Sequence, residues 1–231
     1  GSHITYSYSP TVSSTLTGKR FMLNSIVGAP SPITLLGPQT ITANYVTQYS
    51  ISFDQNGVGL STADTVVTVN GMPYTATQLP VSFWMNSSSP VTYGYASIIA
   101  GTSPGTRYKL DHVDGPGSPF TLLGPTVITG YYVTQYSVEF RQTGLDPTAS
   151  GTVVTINGST TLGYADLPNT MWVNNGSLIT YSYGNVSSST AGKRFILTGV
   201  SGLPSPITVN SPTTVIGNYK TQYQVTFGQS G

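Results

Sequence analysis

The chain has 231 residues, 38% apolar and 11% aromatic, but only 6% charged, with a net charge of +1. A typical soluble domain is about 25% charged, so hydroxyls and amides must solvate this surface. The balance and the lack of any Lys or Arg run exclude nucleic acid and anionic lipid as expected partners, and the lack of cysteine excludes disulfides and thiolate metal sites. No apolar stretch approaches the length of a membrane span, so no membrane insertion is expected in this segment.

Gly1-Ser2-His3 (1–3) reads as the remnant of a cleaved expression tag, which makes a missing leader uninformative. From there apolar residues alternate with period two, the pattern of half-buried strands. Ile4/Tyr6/Tyr8 form the first such run, followed by the turn Gly37-Pro38 and then by Tyr49/Ile51/Phe53 with Ser50 and Ser52 between them. Strands are predicted next over 65–69 and 81–85, with the turn Asn70-Gly71 after the first and Trp84 inside the second. Val91/Tyr93/Tyr95, 107–110, 120–123 and 126–132 complete the series, with Gly124-Pro125 as a turn. Tyr136/Val138/Phe140, Ile179/Tyr181/Tyr183 and Tyr223/Val225/Phe227 repeat the same alternation. The two tryptophans, Trp84 and Trp172, are expected in the core, and most of the 16 tyrosines on core or sheet faces.

These runs recur with a period of 87 residues. Tyr45, Tyr132 and Tyr219 each precede Val-Thr-Gln-Tyr or Lys-Thr-Gln-Tyr, and Gly18/Gly105/Gly192, Arg20/Arg107/Arg194 and Pro32/Pro119/Pro206 keep the register. In mid-period the offset becomes 88, as for Trp84 and Trp172, so one insertion is compensated by one deletion in loops. The expected organisation is the second half of a unit (4–44), two full units (45–131 and 132–218) and the first strand of another (219–231), an excerpt of a longer, elongated array. The period is firm, but the structural phase of a unit is open.

About seven short strands per unit, without helical periodicity, predict an all-β fold of tandem two-sheet sandwiches. That strand count, the midway tryptophan, the Asn-Gly hairpins (Asn70-Gly71, Asn157-Gly158) and the joining Tyr-x-Thr-Gln-Tyr resemble the immunoglobulin-like modules repeated in archaeal and bacterial surface proteins, including S-layer-associated and adhesin-like proteins. The disulfide of antibody-type domains is missing. The resemblance implies export, display at the cell envelope and a stalk, lattice or contact role.

Chemistry intrinsic to the unit should recur in each copy, and no carboxylate does: Asp54 is matched by Arg141, Asp166 by Gln78, and Glu139 by Ser52 and Thr226. Neither acid nor lysine recurs in every copy as a module-wide isopeptide bond would require, and adjacent Thr47 and Gln48 point to opposite faces, so they cannot join in an ester. Asp54-Gln55-Asn56-Gly57 has calcium-loop oxygens but lacks a downstream acid and reads as a turn. Asp111, His112 and Asp114 are the one acidic cluster and a weak metal candidate; a solvated turn before Gly115 is the default reading. No cofactor is expected. Arg20, Arg107 and Arg194 form the one charged position present in all three copies, with a structural role expected, stacked on a strand tyrosine or capping carbonyls; recognition of a partner carboxylate or glycan is the alternative. Gln48, Gln135 and Gln222 belong to the same signature and are expected to hydrogen-bond at the junction between units. Asn86, Asn157, Asn175 and Asn185 stand in N-glycosylation sequons.

The function expected is a non-catalytic structural or adhesive region of an extracellular, cell-surface protein, acting as a stiff stalk or spacer, with neighbouring repeats as partners. A module binding cell-surface glycan or protein through exposed tyrosines is the alternative, and an accessory region of a secreted enzyme a second.

Overall fold

A computed structural model of the chain describes residues 1–60 and 62–231. Among these the chain is all-β, with multiple sheets, 24 strands and two single-turn 3-10 helices. It divides into two compact units, Gly1–Ile99 with Leu110–Tyr132 and Ala100–Lys109 with Val133–Gly231.

The first unit is organised by one uninterrupted strand, Thr42–Asn56. Its first half pairs antiparallel with Lys19–Val27, and its middle pairs antiparallel with Val81–Asn86, from Gln48↔Asn86 to Phe53↔Val81. The last six residues run parallel to Thr126–Tyr131, from Ile51↔Thr126 to Asn56↔Tyr131. A smaller sheet, Met72–Thr75, Thr65–Val69 and Tyr93–Tyr95, is antiparallel throughout. Ile51, Phe53, Val67, Val69, Val91, Leu122 and Ile128 form the core between these layers, as the alternation predicts. At Asn70 and Gly71 both φ values are positive, the geometry of a tight hairpin turn. The Asn70 Oδ1 accepts from Thr92 N at 2.8 Å, which ties the hairpin to the next strand over.

The second unit repeats these pairings one period later. The strand Thr126–Thr143 pairs antiparallel with Asn169–Asn174 between Gln135↔Asn174 and Phe140↔Asn169. It runs parallel to Thr213–Tyr223 between Val138↔Thr213 and Thr143↔Asn218. Val154–Ile156, Thr160–Leu162 and Tyr181–Tyr183 make the smaller sheet, and Val138, Phe140, Val154, Ile156, Ile179, Ile207, Val209 and Val215 lie in the core.

Several expectations are corrected. The alternating run Ile4/Tyr6/Tyr8 is a strand only at His3–Ile4, which pairs with Ile33–Thr34. Likewise the strand Thr213–Tyr223 stops before Val225 and Phe227. The turn expected at Asp111–Asp114 is strand, the end of Thr106–Asp114, and Asp54 to Asn56 are strand as well. Two 3-10 turns, Ala76–Gln78 and Tyr164–Asp166, were not foreseen. In the first the Gln78 Oε1 accepts from Thr75 N, and in the second the Asp166 Oδ2 accepts from Gly163 N, each at 2.8 Å. The carboxylate and the carboxamide therefore do one structural job at equivalent positions.

Candidate functional site

The recurrent charged position lies in a polar row that crosses three strands. Arg20, on Lys19–Val27, is opposite Gln48, which is opposite Asn86 on Val81–Asn86. The Arg20 Nε donates to Gln48 Oε1 at 2.8 Å, and Gln48 Nε2 donates to Asn86 Oδ1 at 2.9 Å. Gln48 is the hinge of the row because a carboxamide accepts on one side and donates on the other. The row recurs as Arg107–Gln135–Asn174, with both bonds at 2.8 Å. Gln48 and Gln135 are 5% and 6% exposed, among the few buried polar side chains of the described residues.

The guanidinium lies over tryptophan and not tyrosine: the Arg20 Cζ is 4.4 Å from the Trp84 ring centre and the Arg107 Cζ is 4.3 Å from that of Trp172. Trp84 is 40% exposed, so the expectation of a core tryptophan is overturned there. Strand geometry requires this, since Val81, Phe83 and Met85 pack against the core and Trp84 alternates with them. Each row thus joins two hydrogen bonds with a cation–π contact. In the third copy Arg194 Nε donates to Gln222 Oε1 at 2.9 Å, and both residues are exposed.

A second recurrent set consists of tyrosine hydroxyls tied to main-chain carbonyls. The Tyr95 hydroxyl lies 2.7 Å from Asp54 O and 3.0 Å from Ile128 O, the two strands that run parallel. Tyr183 does the same with Arg141 O and Val215 O. The hydroxyls of Tyr6, Tyr93 and Tyr181 bond Ala29 O, Pro116 O and Leu203 O. Tyr132 and Tyr219 reach Ala96 O and Gly184 O. Burial raises Tyr95, Tyr132 and Tyr183 well above the ordinary phenol range and pushes Tyr219 up to about 12.

Of the metal candidates, His112 Nδ1 lies 2.8 Å from Asp111 Oδ2, but its Nε2 is 3.9 Å from Asp114 Oδ1, and the ring stacks on Tyr131. Among the described residues no three His, Asp, Glu or Cys side chains gather as a metal site would. Asp54 Oδ1 accepts from Gln55 N, and the Gln55 carboxamide brackets Val58 through its N and O atoms. The four sequon asparagines are exposed. In Asn86, Asn157 and Asn185 the carboxamide oxygen is the engaged atom, accepting from Gln48, Thr180 N and Leu197 N. The backbone N–H of Asn175 donates to Thr134 O.

Ion pairs escaped the sequence, among them Arg141 Nε with Glu139 Oε2 at 2.9 Å. The Lys193 Nζ donates to Asp146 Oδ2 at 2.5 Å and to Thr148 Oγ1 at 3.0 Å, and lies over the Phe195 ring. The hydrogen bonds from Lys193 and then Thr148 lower the Asp146 carboxyl to about 2. Lys19 lies over Phe21 in the same way.

The chain matches no protein-family model, and no curated protein matches it. No helix among the described residues is long and apolar enough to cross a membrane.

Proposed function

We propose that the chain is a non-catalytic structural region of an extracellular surface protein, a tension-bearing spacer built from immunoglobulin-like β-sandwich modules repeated every 87 residues. The observation that carries this reading is the parallel pairing of the first and last strands of each repeat: Ile51–Asn56 with 126–131, and Val138–Thr143 with 213–218. A pull applied before the first strand and after the last slides the pair lengthwise, so the hydrogen bonds of the whole ladder resist together instead of opening one at a time.

The other recurrent residues support the same reading. Each ladder is bridged by a tyrosine hydroxyl, Tyr95 or Tyr183, and the strand leading into each ladder is cross-tied by the arginine–glutamine–asparagine row. Recognition of glycan or protein through tyrosines is favoured by free hydroxyls, whereas those of Tyr6, Tyr93, Tyr181, Tyr95 and Tyr183 are committed to main-chain carbonyls. Export is supported by the low charge and by the exposure of all four sequon asparagines.

Stretching the chain by its two ends in an optical trap tests the proposal. It predicts two discrete unfolding events, each lengthening the tether by about 300 Å less the folded extent, at roughly 3.3–3.6 Å per residue. Gradual lengthening at low force would refute it.

A further inference from the structure

The polar row of the second unit decides which atom of its last member is left over. A guanidinium only donates, so Arg107 Nε takes Gln135 Oε1, and Gln135 Nε2 then donates to Asn174 Oδ1. Asn174 Nδ2 remains as a donor with no partner among the described residues. Asn174 is exposed and lines an open groove of about 510 Å³ with Val133, Thr134, Asn175, Gly176 and Ser177. All six residues belong to the second unit, and none is charged.

The frame of the groove is held by main-chain bonds. Asn175 N donates to Thr134 O at 2.9 Å, Gly176 N to Val209 O at 2.8 Å and Ser177 N to Asn174 O at 3.1 Å. The side chains are left unspent: among the described residues the Asn175 carboxamide and the Thr134 and Ser177 hydroxyls have no hydrogen-bond partner. At Gly176, φ +80°, an added Cβ would meet nothing within 4 Å, so the main chain there is open to close approach. The first unit has the same frame with different side chains. Its counterparts of Asn175, Gly176 and Ser177 are Ser87, Ser88 and Ser89, and Ser88 N donates to Leu122 O at 2.8 Å as Gly176 N does to Val209 O. The free carboxamide of Asn175 is therefore particular to the second unit.

We propose that this groove binds a neutral pyranose sugar. A carboxamide offers a donor and an acceptor side by side, which matches two adjacent sugar hydroxyls, each able to play either role. Asn175 supplies that pair, Asn174 Nδ2 a further donor, and the Thr134 and Ser177 hydroxyls complete the set. Half-buried Val133 gives the C–H face of the ring an apolar contact. The volume falls within the range of about 300–1,000 Å³ of small-molecule sites. An uncharged lining favours a neutral ligand, since an acidic sugar or a charged peptide would find no counter-charge in it. Arg107 and Gln135 act as positioning residues, because the direction of their hydrogen bonds leaves Asn174 with a donor instead of an acceptor to offer. The site is independent of the spacer reading.

Titration with glucose, mannose, galactose and N-acetylglucosamine, followed through the backbone and side-chain amide signals by NMR, tests it. Asn175-Gly176-Ser177 is also a sequon, so the protein is made in a host that adds no N-glycan and only free sugar can fill the groove. At least one sugar should bind saturably with a dissociation constant of about a millimolar, as a few hydrogen bonds to exposed groups allow. The signals of Thr134 and of 174–177 should shift, and those of 86–89 should not. Asn175→Ser puts the first unit's residue at an exposed position and should weaken binding about fivefold to tenfold. Gln135→Glu keeps a partner for Arg107 but only accepts, so Asn174 must turn its Nδ2 toward it; affinity should fall by a similar factor while the backbone signals show the strands still paired. No saturable shift with any of the four sugars, shifts centred elsewhere, binding unchanged in Asn175→Ser or Gln135→Glu, or equal binding of a neutral serine–glycine peptide would overturn the proposal.

Discussion

Replacing Gln135 by leucine removes the centre of one polar row while keeping side-chain bulk. Two bonds are lost, one from the Arg107 guanidinium and one to Asn174. A bond to a charged group contributes about 1.5–3 kcal/mol and a neutral one about 0.5–1.5 kcal/mol. Asn174 is exposed and Arg107 half-buried, so water recovers part of that loss. The net cost should be about 2 kcal/mol, or about 8 °C in Tm for a unit of roughly a hundred residues. Gln222 supplies the control within the same chain. It is exposed and its side-chain partner among the described residues is the exposed Arg194, so Gln222→Leu should cost no more than about 0.5 kcal/mol. Urea unfolding followed by tryptophan fluorescence measures both. Equal costs at the two positions, or a loss at Gln135 as small as that expected at Gln222, would show that the row does not hold its strands together.

Gly105 has φ +76°, and an added Cβ would meet Ser137 Oγ at 2.5 Å and Pro212 Cβ at 2.8 Å; at Gly192, φ +71°, the nearest atom would be 3.7 Å away. Gly192→Ala should therefore cost about 1–2 kcal/mol from backbone strain alone, and Gly105→Ala a further 1–3 kcal/mol or so from overlap, read as a difference in urea midpoints. Tyr132 and Tyr219 are neutral and buried in the fold, with raised ionisation, whereas the unfolded chain ionises its tyrosines near pH 10. Their stabilisation is complete below about pH 10 and declines by about 1.4 kcal/mol per pH unit per group as pH rises through the folded value. Urea midpoints should fall between pH 10 and 12 by less in Tyr219→Phe than in the parent chain. Asp146, lowered to about 2, contributes stability above the ordinary carboxylate range that is lost as pH falls toward 2. Asp146→Asn should flatten that acid limb of the stability profile, and an unchanged acid limb would remove the ion pair from the account.

What could be read from the sequence was what local pattern encodes. Strand-forming residues bounded by Asn70-Gly71 located the strand Thr65–Val69 residue for residue, and the period-two alternation located the inward positions Ile51, Phe53, Val138 and Phe140. Asn70-Gly71 marked a hairpin because both of its φ values had to be positive. What could not be read depended on pairing across long separations. Trp84 was misplaced because its hydrophobicity argued for the core, while its outward face follows from the alternation with Phe83 and Met85 on the core-facing side. The arginine was expected to stack on a strand tyrosine or to cap carbonyls; it lies on tryptophan and bonds a carboxamide instead, because the register that sets Arg20 beside Gln48 and Asn86 has no local signature. The parallel ladders join residues 75 apart, such as Ile51 and Thr126, and no turn residue announces them. Lys193 and Asp146 lie 47 residues apart in a chain where acids do not recur, so the repeat itself hid their pairing.

The most direct test of the mechanical role compares two directions of pull on one ladder. The chain has no cysteine, so introduced cysteines are unique handles. Handles at Asn56 and Tyr131, paired at one end of the parallel ladder, open its bonds one after another, whereas handles at the two ends of the chain load them together in shear. The account predicts that the first unit yields at a clearly lower force through Asn56 and Tyr131 than through the ends of the chain. Equal forces in the two directions would contradict it.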